Sequence, residues 1–528
     1  MMSRCLSAAT HGVEGYVVEV EVDIARGLPV LTIVGLPDAA VRESKERIRA
    51  ALHNAGFDFP LQRITVNLAP ARVRKAGTVF ELAIAVGILL ASGQLPRGPV
   101  LASKRIVFLG ELSLDGAVSP VSGVLPMVMA AGDAGADVVV LPAGNRWEGE
   151  LAAPGRVVGM GSLRDVERFL ELGRMPAAAA EGPSKEWNNA ESGVAQASAG
   201  RLEEIRGHVV PKRALEIAAA GGHNLLFVGP PGSGKTTLAR AMAGILPPLT
   251  REEELEVLRI ASVGGSLVEM DGRGKLKAER PFRAPHHTIS LAGLIGGGSP
   301  PRPGEVTFSH RGVLFLDELP EFRRQALEAL RQPLEDGYVT LVRSGAKVAY
   351  PAVLTLIASM NPCNCGFLGD GLRKCSCSLQ EVMRYHHRIS GPLLDRLDMF
   401  CSVRRVDPSE ILPDREPEPG PTTEEVRRRV LAARERQLER LQAAGITRVT
   451  CNGHLTGPEV RRVCRVAEEG TAILERAMSE GLLSARSAFK VIKVAQTICD
   501  LDGCRDSISS RQILEALQLR RETALEAA

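Results

Sequence analysis

Apolar and polar positions alternate along the first third of the chain in a way that changes period repeatedly. The runs GYVVEVEVDI, RITVNLAP, RIVFLGEL and DVVVLP have strand character, and between them lie helical stretches such as DAAVRESKERIRAALHNAG. Strands interleaved with helical patterns predict an α/β unit over residues 1–172. Residues 176–200, PAAAAEGPSKEWNNAESGVAQASAG, are small and polar without a period, so 173–200 reads as a linker. Apolar strands return in NLLFV, GVLFL and VLTLIASM, which predicts a second α/β unit over 201–406. A polar, proline-rich seam, LPDREPEPGPTTEE, follows, and then helical patterns near 424–444, 457–480, 484–500 and 509–523. The last part, 407–528, therefore predicts a helical bundle. No internal repeat is visible.

Composition changes this picture little. A chain of 528 residues, 45% hydrophobic and 24% charged, has the length and apolar content for about three globular domains. The formal charge of +3, from 65 basic and 62 acidic residues, does not announce a polyanion partner, so local clusters must carry that case. Aromatics are 4%, so a nucleic-acid contact would rest on charge more than on base stacking. The opening MMSRCLSAATHG lacks the apolar core of a signal peptide, and AIAVGILLA is too short to cross a membrane. The expectation is a cytoplasmic chain without a membrane segment, its ten cysteines kept as thiols or metal ligands.

The most specific chemistry lies in NLLFVGPPGSGKTTLARAMAG, an apolar strand, a glycine loop and a helix in succession. Gly229-Pro230-Pro231-Gly232-Ser233-Gly234-Lys235-Thr236, with Thr237 behind it, fits the GxxxxGK[ST] loop that cradles phosphates with backbone N–H groups at a helix N-terminus. Lys235 would reach the β- and γ-phosphates and the Thr236 hydroxyl would ligate Mg²⁺. About eighty residues on, GVLFLDELPEF ends an apolar strand in Asp317, suited to Mg²⁺, and Glu318, suited to polarising the attacking water. VLTLIASMNP ends in Asn361, positioned to orient that water. Arg396, in SGPLLDRLD, suits an arginine finger supplied to a neighbouring subunit, or else a salt bridge with Asp395 or Asp398. Arg486, near the start of the helical LLSARSAFKVIKVA, suits a second γ-phosphate sensor, or else a solvated arginine. ATP and Mg²⁺ are the cofactors implied.

Together these segments, with RPFRAPHHTISLAGLIGGG, PRPGEVTFSHRG, LRQPLEDGYVTLVR and ASMNPCNCG, resemble the magnesium-chelatase-like AAA+ proteins of the YifB/ComM family. The first unit is similar as well: GLPVLTIVGLPDAAVRESKERIRAALHNAGFDFPLQRITVNLAPA and FLGELSLDGAVSPVSGVLP look like that family's N-terminal domain, related to the Lon protease domain. The resemblance implies a multidomain α/β architecture with a Lon-like α/β N-terminal domain, an AAA+ P-loop core and a C-terminal helical lid. It also implies a homohexameric ring, a helix-2 insertion near 262–305 and a pre-sensor hairpin near 336–350 facing the pore. The activity it implies is a DNA-acting motor, with branch migration in recombination or natural transformation.

Departures qualify the N-terminal part. The family motif KxGxxFDLP stands here as Lys75-Ala76-Gly77-Thr78-Val79-Phe80-Glu81-Leu82-Ala83, with Glu81 for the usual Asp, and Arg72 stands where an acid is more usual. Against active Lon-type proteases, the serine position falls at Val79 and the lysine position at Leu125, which leaves no Ser–Lys chemistry. Nothing in the spacing recommends Ser122 or Lys104 instead. That domain reads as a scaffold or partner-binding module.

Cys363, Cys365, Cys375 and Cys377 form two C-x-C pairs, the ligand count of a structural Zn²⁺ site, or four reduced thiols in a loop. Arg280, Arg283, His286 and His287 in ERPFRAPHHTIS, and Arg343 and Lys347 in TLVRSGAKVAY, are cations of the type that follows DNA phosphates; the hairpin pair is favoured over the histidines. Two further readings stay open: a chelatase-type motor driving metal insertion by a partner subunit, and ATP-dependent protein remodelling or proteolysis, weakened by Val79 and Leu125.

Overall fold

A computed structural model describes the chain except residues 96–97, 174–199, 266–278, 300, 344–345, 407–419, 505–506 and 521–528. The expected linker, the tip of the predicted hairpin and part of the expected helix-2 insertion lie outside the described residues, as does the side chain of Arg343.

The N-terminal part is built on seven strands: β1 (Met2–His11), β2 (Glu14–Ala25), β3 (Val30–Val34), β4 (Arg63–Ala69), β5 (Ile106–Phe108), β6 (Val138–Pro142) and β7 (Val157–Met160). They form one mixed sheet in the order β3-β4-β2-β1-β5-β6-β7. β1 and β2 pair antiparallel over ten residues, from Met2↔Asp23 to His11↔Glu14, while β5, β6 and β7 run parallel. Helix α1 (Ala39–Asn54) starts on Asp38, whose side chain accepts from the Val41 amide, and turns Val41, Ile48 and Leu52 into the core. Helix α2 (Glu81–Ser92) is apolar on nearly every face and accordingly buried nearly throughout. Glu81, the departure from the family motif, is buried and accepts from the Arg47 guanidinium at 2.6 Å and from the Leu112 amide at 2.8 Å. It thus ties α1, α2 and the short strand Glu111–Leu112 together, the Arg47 bond being charge-assisted.

The second part carries a five-stranded, all-parallel sheet: β8 (Leu225–Val228), β9 (Phe282–Arg283), β10 (Val313–Leu316), β13 (Thr355–Met360) and β14 (Met399–Ser402), ordered β9-β10-β13-β8-β14. The intervening β11 (Tyr338–Arg343) and β12 (Ala346–Pro351) form the predicted hairpin, in register from Tyr338↔Pro351 to Arg343↔Ala346. β8, β10 and β13 are wholly buried apolar runs, as strands covered on both faces must be. Two helices flank the nucleotide segment, α3 (Lys235–Ile245) and α4 (Arg251–Gly264). The C-terminal segments fold as helices α5 (Thr423–Ala443), α6 (Gly457–Val463), α7 (Glu468–Ser479), α8 (Ala485–Asp502) and α9 (Ser510–Gln518). Their apolar faces join the core beneath β8 and β14.

The N-terminal sheet and the second part meet at two places. Ser262, at the end of α4, donates to buried Glu148 at 2.5 Å, and the Leu125 amide donates to the same carboxylate at 2.9 Å. The Gly123 amide completes the contact on the Ser262 carbonyl at 3.0 Å. At the second place, His11 Nε2 lies 3.2 Å from the Lys347 carbonyl on β12. Burial raises the Glu148 carboxyl above its ordinary range, against the donors that favour its charged form.

Helix α4 is itself fixed to the residues ahead of β10 through Glu256, which accepts from His310 Nε2 at 3.1 Å and from Arg311 Nε at 2.7 Å. Burial favours the neutral form of His310, and its Nδ1 accepts from the Val353 amide. The His310 bond, followed by Arg311, brings the Glu256 carboxyl from 4.5 down to about 2. A depressed carboxylate stabilises the fold fully above its unfolded value and loses that contribution as pH falls through the folded one. Urea unfolding followed between pH 4.5 and 2 should therefore show a steeper loss of stability in the parent chain than in Glu256→Gln.

Candidate nucleotide site

The site forms where three parallel strands end side by side. Val228 pairs with Met360 across β8 and β13, and Leu316 pairs with Ala358 across β10 and β13. The residues that follow these strands, Gly229, Asn361 and Asp317, are therefore brought together by register. This is the carboxyl edge of an open parallel sheet, where such folds bind ligands.

The loop after β8 is compressed. A Cβ on Gly229 would stand 2.1 Å from the Val403 carbonyl oxygen, so only glycine fits. Gly234 caps α3 with φ +84°, a conformation side chains rarely adopt. Lys235 is mostly buried, and its ammonium donates to the carbonyls of Gly229 at 2.7 Å and Pro230 at 2.9 Å and to Asn361 Oδ1 at 3.3 Å. Burial lowers the Lys235 ammonium below its ordinary value, against the pull of Asp317 and Glu318. Thr236 Oγ1 donates to Asp317 Oδ2 at 2.9 Å, and the hydroxyl of Ser359 donates to Asp317 Oδ1. Ser233 Oγ is buried without a hydrogen-bond partner. An orphaned hydroxyl, a lysine folded over loop carbonyls and a Thr–Asp pair at a helix N-terminus fit a nucleotide phosphate with its Mg²⁺.

Glu318 follows in the left-handed region, at φ 52°, one of four non-glycine residues with positive φ among those described. Backbone strain of this kind is held only where the surroundings over-determine it. The side chain is exposed and faces His287, with Nδ1 3.6 Å from Oε2. The rings of His286 and His287 lie 4.0 Å apart, tilted by 34°, and His287 meets Phe322 edge-on at 6.4 Å. The histidines expected as DNA-following cations thus lie beside the acid after β10. Arg283 is also differently engaged: two of its guanidinium nitrogens each donate to Glu305 at 2.7 Å, and it lies over Phe308. A bidentate pair of this kind holds the arginine to its own chain. Arg280 likewise donates to Glu253 and to the Arg311 carbonyl. Of the expected DNA cations, Lys347 alone is described as an exposed side chain on the hairpin.

Arg396 and Arg486 come together on a residue that the sequence did not single out. Glu335 accepts from Arg396 Nη2 at 2.5 Å and from Arg486 Nη2 at 2.7 Å. Neither Asp395 nor Asp398 pairs with Arg396: Asp398 is buried and engaged by Lys490 at 3.3 Å and by the Asn224 amide at 3.0 Å. His208 is a second residue missed, with φ 54° and its Nε2 3.5 Å from the Cβ position of Gly234. Its only sequence signal is the Gly207-His208 pair ahead of the helix that precedes β8.

The four cysteines gather in the loop after Asn361. Sγ of Cys363 is 3.3 Å from that of Cys365 and 3.7 Å from that of Cys375, and all four sulfurs lie within 4.8 Å of one another. Zn–S bonds of about 2.3 Å in a tetrahedron require sulfur separations of about 3.8 Å, so the donor set fits one metal ion. This loop lies against the phosphate loop: a Cβ on Gly366 would meet Pro231 Cδ at 2.7 Å and Asn361 Cγ at 3.9 Å.

Strand order, phosphate loop and paired acid define a P-loop ATPase of the AAA+ class. Comparison with known proteins narrows the class. Profiles described as "Magnesium chelatase, subunit ChlI", "Subunit ChlI of Mg-chelatase" and "Magnesium chelatase, subunit ChlI C-terminal" match residues 201–411, 20–145 and 420–520. The chain is 41% identical over 516 residues to the competence protein ComM of Haemophilus influenzae, covering 97% of this chain and 96% of ComM. It is 40% identical over 513 residues to the protein YifB of Escherichia coli, covering 97% and 96%. The magnesium-chelatase subunit ChlI of Chlorella vulgaris is 23% identical over 157 residues, 26% of this chain and 44% of that one. The chain belongs to the YifB/ComM family of magnesium-chelatase-like AAA+ ATPases. Among the described residues no helix is long and apolar enough to cross a membrane.

Gly229→Ala tests the compressed loop. The added methyl must displace the loop from the Val403 carbonyl, so affinity for a fluorescent ATP analogue should fall at least about tenfold, or about 1.4 kcal/mol, with the circular dichroism spectrum unchanged.

Proposed function

We propose that the chain is the subunit of a hexameric, ATP-driven motor that acts on DNA, with helicase or branch-migration activity in recombination or natural transformation. The convergence of Lys235, Thr236, Asp317 and Asn361 at one sheet edge is the observation that carries the motor. The whole-length likeness to a protein named for competence carries the link to DNA uptake.

In this reading, Lys235 and the loop amides from Gly229 to Thr237 bind the β- and γ-phosphates. Thr236 and Asp317 would hold Mg²⁺, which would supply charge neutralisation at the transferring phosphoryl group. Glu318 accepts the proton of the attacking water and Asn361 orients that water. His287, beside Glu318, restrains this carboxylate until the water is in position. Arg396 neutralises charge on the γ-phosphate of a neighbouring subunit and Arg486 contacts the γ-phosphate as a second sensor, with α5–α9 acting as the lid. Lys347, and Arg343 with it, follow phosphates of a DNA strand without reading bases.

The N-terminal part serves as an inactive Lon-like scaffold. Val79 and Leu125 are both buried and carry no hydroxyl or amine, and the Leu125 amide is already bonded to Glu148. Cys363, Cys365, Cys375 and Cys377 would hold zinc, which would stiffen the loop between Asn361 and Arg396. The chelatase reading draws support from the distant likeness to chelatase subunits, confined to about a quarter of the chain.

Steady-state ATPase measured with single-stranded, duplex and branched DNA should rise with DNA and disappear in Glu318→Gln. An ATPase that ignores every DNA yet remains Glu318-dependent would move the reading to a protein or chelatase partner. Purified chain should carry about one zinc per subunit by elemental analysis. Replacing Cys375 and Cys377 by serine should release it and weaken nucleotide binding.

A further inference from the structure

Three parts of the chain that are far apart in sequence meet on one carboxylate. Glu335 sits in the last turn of the short helix Arg331–Asp336, which Gly337 ends in the left-handed region at φ 75°. The next residue, Tyr338, begins β11, and the Gly337 carbonyl accepts from the Ala352 amide to close the base of the hairpin. Glu335 is therefore fixed to the root of the hairpin. Its Oε2 accepts from Arg396, in the turn before β14, and its Oε1 accepts from Arg486, in the first turn of α8. Each oxygen takes one guanidinium, so neither arginine can turn without losing its bond.

The arginines have little else to hold them. Arg396 Nη1 donates to the Pro392 carbonyl at 2.8 Å, and its Nε is buried without a partner. Among the described residues neither arginine pairs with any other carboxylate. The bond from Arg396, and the charge of both arginines, keep the Glu335 carboxyl below its ordinary value. Removing the carboxylate would leave Arg396 mostly buried with one carbonyl contact, and Arg486 would become a half-exposed side chain with several rotamers open to it.

We infer that Glu335 is a positioning residue for ATP hydrolysis, which sets Arg396 and Arg486 in one geometry and links that geometry to the root of the β11–β12 hairpin. This rests on the reading above that Arg396 serves the γ-phosphate of a neighbouring subunit and Arg486 senses the γ-phosphate. Glu335 touches no reacting atom itself. Its contribution is to hold two long, flexible cations where the charge of the transition state develops, an effect that appears in kcat and not in nucleotide affinity. Because the same carboxylate rides on the hairpin root, a displacement of the hairpin by DNA changes where both arginines point.

The test is Glu335→Gln in the full-length protein, with Arg396→Ala, Arg486→Ala and Lys235→Ala as companions and the melting temperature checked for each. Gln keeps the shape of the side chain, so an unaltered melting temperature is expected. Glu335→Gln should lower kcat at least about tenfold with KM for ATP within about threefold, and should remove stimulation by DNA. Mixed rings decide the mode of action. Lys235→Ala subunits have correctly held arginines but no working phosphate loop, so mixing them with Glu335→Gln subunits should recover activity above either parent. If Glu335→Gln keeps kcat within about twofold while Arg396→Ala abolishes it, the inference is overturned. It is overturned equally if Arg396→Ala is rescued by Lys235→Ala subunits and Glu335→Gln is not. If Arg396→Ala and Arg486→Ala both leave kcat unchanged, the reading of the arginines fails instead, and the inference with it.

Discussion

Everything at the nucleotide site depends on three parallel strands being in register. Their alignment is a backbone matter, set by Val228↔Met360 and Leu316↔Ala358, and it is held by apolar side chains that touch no ligand. Shifting any one strand by a residue would carry the polar residue at its end about 3.3 Å along the strand and away from the others. The polar residues that follow the strands inherit this alignment, and so Lys235, Thr236, Asp317 and Asn361 reach each other although 126 residues separate the first from the last. Chemistry here is placed by hydrophobic packing.

A second constraint keeps the C-terminal helices on that sheet. Asp398 is buried immediately before β14, with Lys490 of α8 and His223 next to it. Burial lowers His223 to about 3, so it stays neutral, and Lys490 is lowered to about 8 by burial against the attraction of Asp398. Breaking such a buried pair leaves an uncompensated charge, which typically costs about 3–5 kcal/mol. The pair is weak evidence for stability in itself, and strong evidence that α8 has one preferred seat. Arg486 and Lys490 are one turn apart on that helix, so the seat of Lys490 also determines where Arg486 begins.

What the sequence revealed was what is local. The phosphate loop, the acid pair after β10, the hairpin and the C-terminal helices are each encoded in a continuous stretch and found near where the pattern puts them, except that the helical stretch 457–480 is broken after Val463 into α6 and α7. β1 was not legible, because MSRCLSAATH is rich in small and polar residues and is a strand only through its ten-residue pairing with β2. Glu335 and the place of His287 were not legible for a related reason: their partners are remote, and a glutamate on a short helix or a histidine in a loop looks like any other until the fold brings Arg396, Arg486 or Glu318 to it. The cysteines announced their ligand count, but not that their loop leans on Pro231.

The contact between Glu148 and Ser262 has a bearing on how such a chain can evolve. The N-terminal sheet is attached to the ATPase part by noncovalent contacts at the end of α4 and along β12. Glu148 and Ser262 constrain each other, because a change in one leaves the other, a buried polar group, short of a partner. Relatives should thus co-vary across the seam that joins the two parts.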